Sequence, residues 1–128
     1  MSRLPLFVST LLVAALLAGL SATAQAEGDW KRGRIYYRAV CTDCHQAKLG
    51  HAISPATKTK AEWADYLNSA KGGEHVAQWV SQAHRQSIAG ENKVAAKFVD
   101  VPDAELLADI QAFVLHGAKD SDTPARCN

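Results

Sequence analysis

The residues best suited to chemistry in this chain are Cys41-Thr42-Asp43-Cys44-His45. Two thiols three positions apart can reach the two vinyl groups on one edge of a porphyrin and form thioethers there. A histidine directly after the second thiol then lies beneath the metal and can bind it. This is the attachment pattern of c-type haem. The same residue types have two other uses. A redox dithiol also uses Cys-x-x-Cys, but it gives His45 no role, and no βαβ pattern surrounds the motif. A structural zinc site needs four ligands at workable spacing. Here there is no second Cys-x-x-Cys, and the His45/His51 pair starts directly at Cys44 with no loop of finger length between. The expectation is one covalent haem c, with thioethers at Cys41 and Cys44 and His45 as proximal iron ligand.

A second axial ligand has to come from elsewhere, and the only Met of the chain is Met1. Four other histidines are available. His51 is six residues past His45, too near along the chain to reach the opposite face of a porphyrin. His116 precedes Gly117 at the end of a helix, where a cation suits the helix dipole and solvent is expected. His75 and His84 are nine positions apart, on opposite faces of a straight helix, so one at most would face the metal. His75 is the expected distal ligand. It follows Gly72-Gly73, which permits close backbone approach, and Trp79 lies one turn on as an apolar wall. His84 is the runner-up, set among Gln82, Arg85 and Gln86, which read as solvated. Lys93, Lys97 or an open site are the remaining options.

The elements that must position these groups read as helices. Residues 28–41 form the first, with Asp29 as N-cap, and 46–59 read as a loop. Thr59 caps a helix over 60–70 whose apolar face carries Trp63, Tyr66 and Leu67. Gly72-Gly73 reads as a break, followed by a helix over 74–86 with Val76, Trp79, Val80 and Ala83 together. Residues 90–101 read as loop, with a helical turn near 94–98. The last helix runs from Pro102 or Asp103 to His116. Residues 118–128 are polar and expected to be extended. No strand pattern is evident, so the expected fold is all-α.

The flanks of the motif resemble those of class I cytochromes c, the monohaem cytochrome c family. Gly33 and Tyr37 stand eight and four residues before Cys41, where that family has a glycine and an aromatic. Phe113, in Ile110-Gln111-Ala112-Phe113-Val114, resembles the aromatic of its C-terminal helix. The resemblance implies a small helical fold around one haem, with the first and last helices crossing near Gly33 and Phe113. It also implies that Pro55 offers its carbonyl to the proximal imidazole, and it places a distal Met before the last helix. This chain has no such Met, and bis-histidine ligation would lower the potential relative to Met/His members. The spacing of His84 from His45 matches the distal spacing of small members. Between about residues 56 and 100 the resemblance fades.

Length and composition set the remaining bounds. The chain has 128 residues, enough for one small domain. With 14 Lys and Arg against 13 Asp and Glu, it lacks the basic excess of a nucleic-acid binder. Arg3, the apolar run 6–20 and Ala24-Gln25-Ala26 form the three-part pattern of a cleavable secretory signal peptide. The expected mature domain is 27–128, without a membrane span and located in the periplasm. Cys127 is left over, as a free thiol, half of an intermolecular disulfide that would make a dimer of a monomer, or a ligand from a folded-back tail. Lys31, Arg32, Arg34 and Arg38 crowd the first helix, either as a solvated face or as a docking patch for an acidic redox partner. No acid/base pair, nucleophile elbow or phosphate loop is evident, so no enzymatic activity is expected. The reading that follows is a single-electron carrier. The alternatives are a gas-binding haem with an open sixth position and a small cytochrome subunit of an oxidoreductase complex.

Overall fold

The computed structural model describes residues 27–125, so the expected leader at 1–26 and Cys127 lie outside the described residues. Within them the fold is all-α, as expected, and no helix is long and apolar enough to cross a membrane. Helix α1 (Trp30–Tyr36) passes through a π-helical turn (Tyr37–Cys41) into α2 (Thr42–Leu49). The chain then runs through a 3₁₀ turn (Pro55–Thr57) to α3 (Lys60–Asn68), α4 (Ala70–Val80), α5 (Gln82–Ile88), α6 (Lys93–Lys97) and α7 (Asp103–His116).

The starts of these helices follow the capping residues in the sequence. Asp29 accepts from the amides of Lys31 and Arg32. Thr59 and Glu62 cap α3 reciprocally, and the bond from the Thr59 amide holds the Glu62 carboxyl below the usual carboxylate range. Asn92 accepts from the amides of Val94 and Ala95 to start α6.

The core forms where α1 crosses α7. A side chain at Gly33 would overlap the Asp109 carbonyl, so only glycine allows the two backbones to approach this closely. The crossing is therefore at Gly33, as expected, but it rests on Asp109 and Ile110. Phe113 lies one turn further on, its ring 5.2 Å from that of Tyr37. Asp109 is 1% exposed. It accepts from the Asp29 amide at 2.7 Å and pairs with the Arg32 guanidinium, which also reaches Glu105. These partners, Asp109 first, raise the Arg32 pKa above its ordinary value. Tyr36, Val40, Leu106, Ile110 and Val114 complete this core.

Five expectations about local structure are corrected. The first helix does not end at 41 but continues through the Cys-x-x-Cys-His motif to Leu49. Gly72-Gly73 lies inside α4. Helix capping by Ser69, which accepts from the Gly72 amide at 3.0 Å, starts α4 before the glycines, and Gly72 packs its bare Cα on the Tyr66 carbonyl. The expected helix over 74–86 breaks at Ser81, whose extended ψ of 147° ends α4 while its hydroxyl caps α5. Arg85 is not solvated. It is 0% exposed, and its guanidinium donates to the carbonyls of Val80, Phe98 and Val101 and pairs with Asp103. It therefore holds the irregular segment 98–101 against the α4–α5 corner. The tail folds back through residue 125. The Ala125 amide donates to Gly117 O at 2.9 Å, and Ser54 Oγ donates to Ala125 O at 2.8 Å.

Candidate functional site

The two thiols and the following imidazole sit where the long first helix leaves the packed core. The π-helical turn over Tyr37–Cys41 ends at the first thiol and breaks the regular ladder. The Ala39 carbonyl within it accepts from Asn92 Nδ2 at 2.8 Å. Beyond this turn the helix loses its support. No residue of α2 is buried, and Leu49 is 54% exposed. A helix of eight residues is not stable on its own in water and ordinarily depends on packing one face.

Cys41 packs against the core, and burial pushes its thiol up to about 12. Cys44 is half-buried, and both cysteines are free thiols. His45 is half-buried too. Its Nδ1 is shielded from solvent and has no hydrogen-bond partner. Burial, reinforced by the neighbouring His75 and His51, holds the His45 imidazole below its ordinary pKa.

The Pro55 carbonyl does not serve His45. It accepts from the buried Trp63 Nε1 at 2.7 Å. The indole donor of α3 thus occupies the acceptor that the class I resemblance assigned to the imidazole.

The structure brings His45 and His75 together. Their rings are parallel within 8° and their centroids are 6.2 Å apart. His75 is exposed on its outer side. Trp79 stands edge-on at 6.3 Å on the other flank of His75 and at 4.7 Å from His84. Tyr36 fixes this corner through its hydroxyl, which donates to the Trp79 carbonyl at 2.6 Å. Because the helix breaks at Ser81, His75 and His84 are not on opposite faces of one rod, and both turn towards Trp79. His84 is half-buried, and burial lowers its pKa. With Val40, Cys44, Ile88 and Val94 it lines an open cavity of about 710 Å³. Lys93 lines the same cavity, and Lys97 does not.

The remaining candidates lie elsewhere. His51 is exposed, and its Nδ1 lies 3.1 Å from the adjacent Ala52 carbonyl. His116 is not solvated as expected. It is half-buried, stacks on Trp30 at 3.9 Å, and lies 3.2 Å from Thr123 Oγ1. Of the four basic residues of α1 and the π-helical turn, Arg32 is tied to α7, whereas Lys31, Arg34 and Arg38 are exposed. Sequence reasoning missed Asn92, Tyr36 and Trp63 as positioning residues. The asparagine before Lys93 was readable as a cap, but nothing in the sequence indicates its long-range bond to Ala39.

The 6.2 Å between the His45 and His75 ring centroids is close to the spacing of two imidazoles that share one metal. A metal–imidazole nitrogen bond is about 2.0–2.1 Å. Two collinear ligands therefore have ring centroids about 6 Å apart once the half-width of each ring is added. Among the described residues no group of three or more His, Cys, Asp or Glu could hold a metal ion. Comparison with known proteins found no matching family model, no similar curated protein and no similar solved structure.

Proposed function

We propose that the chain is an exported monohaem c-type cytochrome that carries single electrons between redox proteins. Cys41 and Cys44 would hold the group through thioethers, His45 would bind the iron on one side and His75 on the other. The observation that carries the reading is the parallel pair of His45 and His75, 6.2 Å apart, beside two free thiols at Cys-x-x-Cys spacing.

A bare metal ion fits these residues poorly, because two imidazoles leave it without the other ligands a zinc site requires. A porphyrin iron fits them, because the macrocycle supplies four ligands and needs only two from the chain. A flat apolar group would also cover the α2 face that no side chain buries. When bound, haem supplies reversible Fe(III)/Fe(II) chemistry.

The chain's own residues do the rest. The π-helical turn and Asn92 set the direction of Cys41–His45. Tyr36 holds Trp79, which flanks both His75 and His84. Burial lowers the His45 pKa, which favours the neutral imidazole that can ligate. Lys31, Arg34 and Arg38 give α1 and the π-helical turn a basic face on which an acidic partner can dock, with electrostatic steering that weakens in salt. Export through residues 1–26 would place the thiols in the periplasm, the compartment where haem is attached.

The test is the optical spectrum of the purified protein. A six-coordinate low-spin haem that resists acid–acetone extraction and ignores carbon monoxide is expected. A high-spin haem that binds carbon monoxide would reject His75 ligation in favour of a gas-binding site. A protein without covalent haem, made in cells competent for its attachment, would reject the reading entirely.

A further inference from the structure

A second cavity, of about 600 Å³, lies on a different part of the first helix. It shares no residue with the cavity that holds Cys44 and His84. Its size falls within the range of small-molecule sites, about 300–1,000 Å³. One wall is a stripe of α1 and α2 with Trp30, Arg34, Arg38, Thr42 and Gln46 at four-residue intervals. The facing wall is the loop at Ala52 and Pro55 with the folded-back tail at Ala125.

Its polarity is divided. Arg34 and Arg38 are exposed, and neither has an ion pair or hydrogen bond among the described residues. No carboxylate lines the cavity among the described residues. Deeper in, Tyr37, Pro55, Phe113 and Gly117 are buried. The Tyr37 hydroxyl is engaged by the Ile53 carbonyl at 2.7 Å, so the ring presents its apolar body. Trp30 and His116 close one end as a parallel stack, with the His116 ring also held by Thr123.

We propose that this groove binds a small aromatic carboxylate, its flat body between the Tyr37/Phe113 floor and the Trp30–His116 stack and its carboxylate on Arg34 and Arg38. Guanidinium groups recognise carboxylates through two parallel hydrogen bonds. The aromatic walls favour a flat, apolar body over a bare anion. Binding would neutralise part of the basic face of α1, so an occupied groove would slow docking of an acidic partner. The ligand site itself does not depend on the haem reading, because none of its lining residues is a proposed haem ligand.

The test is calorimetric titration of the intact protein with 2-naphthoate, using 2-naphthylmethanol and acetate as the two halves of the ligand. One-to-one binding of 2-naphthoate is expected, with each half weaker by about tenfold or more. The double variant Arg34→Gln/Arg38→Gln should weaken 2-naphthoate by at least about tenfold without changing the thermal midpoint, since both side chains are exposed. Ala52→Leu should block the same titration from the opposite wall with both guanidiniums intact. Failure of 2-naphthoate to bind at millimolar concentration, or binding that survives both variants, overturns the site. Equal binding by acetate overturns the aromatic part of the assignment.

Discussion

The two ends of the first helix are built on opposite terms. At Gly33 the helix meets α7 backbone to backbone, and the buried polar groups are satisfied within the chain: Asp109 takes the Asp29 amide and the Arg32 guanidinium. From Thr42 to Leu49 the same helix has no fully buried residue, and the His45 Nδ1 is shielded yet unpartnered. A continuous helix can thus be closed at one end and chemically unfinished at the other. Buried polar groups are ordinarily paired, so an orphan imidazole beside two free thiols marks the place where the polypeptide does not complete its own packing.

The sharpest way to break this comparison is to remove what would finish the open end. Wild-type protein made in cells competent for haem attachment should have the intact mass of residues 27–128 plus one haem. Cys41→Ser/Cys44→Ser should have the bare polypeptide mass. It should also lose helicity in circular dichroism, because α2 then has nothing to pack on. A double variant that still carries covalent haem would show that the thiols are not the attachment points.

The closed end should respond in the opposite way. Gly33→Leu places a side chain against the Asp109 carbonyl, and the obstacle is backbone, which cannot swing aside. The cost should be at or above the upper end of the about 1–3 kcal/mol typical of overpacking, read as a lowered denaturant midpoint. The haem spectrum of whatever remains folded should be unchanged. A parent-like midpoint would mean that the helices do not cross there.

The closed end was the more legible of the two in the sequence. Gly33, the Asp29 and Thr59 caps and the boundaries of α7 could be read because each is a local rule with a local residue. Cys41, Cys44 and His45 stand out in the sequence for the same reason, as a motif of fixed local spacing. What escaped depends on partners distant in sequence. Arg85, among glutamines, reads as solvated because most of its acceptors, the carbonyls of Phe98 and Val101 and the Asp103 carboxylate, lie 13–18 residues away. Gly72-Gly73 reads as a break because the Tyr66 carbonyl that demands a glycine is invisible in a one-dimensional pattern. The fold of the tail depends on Ser54, 71 residues before Ala125. The expectation that only one of His75 and His84 could face the site assumed a straight helix, which Ser81 interrupts, and the ring beside that of His45 is His75.

Within the open end, His75 and His84 separate by geometry. His75→Ala should convert the haem to a high-spin form that binds carbon monoxide. His84→Ala should remain low-spin, because its ring meets Trp79 rather than the His45 ring. A low-spin spectrum retained in His75→Ala rejects the assignment, and the His84 variant made in that background would then identify the ligand.

The smallest effect on the site is expected from Trp63→Phe, and it tests whether the two regions are independent. The Trp63 indole is buried and donates to the Pro55 carbonyl. Phenylalanine keeps most of the ring volume but leaves that carbonyl only the long bond from the Lys58 amide at 3.4 Å. The expected loss is about 0.5–1.5 kcal/mol, the usual net worth of one hydrogen bond, seen as a lower melting midpoint. If Pro55 were the hydrogen-bond partner of the proximal imidazole, freeing its carbonyl would strengthen that bond. The His45 ligand would become more basic and the reduction potential would fall. In this structure Pro55 packs against Gly117 at the end of α7 and its carbonyl is committed to α3. Trp63→Phe should therefore lower stability while the Soret band and the reduction potential stay where they are. A potential that falls along with the melting midpoint would show that the carbonyl reaches His45 once released, and that the closed and open ends of the molecule are coupled through Pro55.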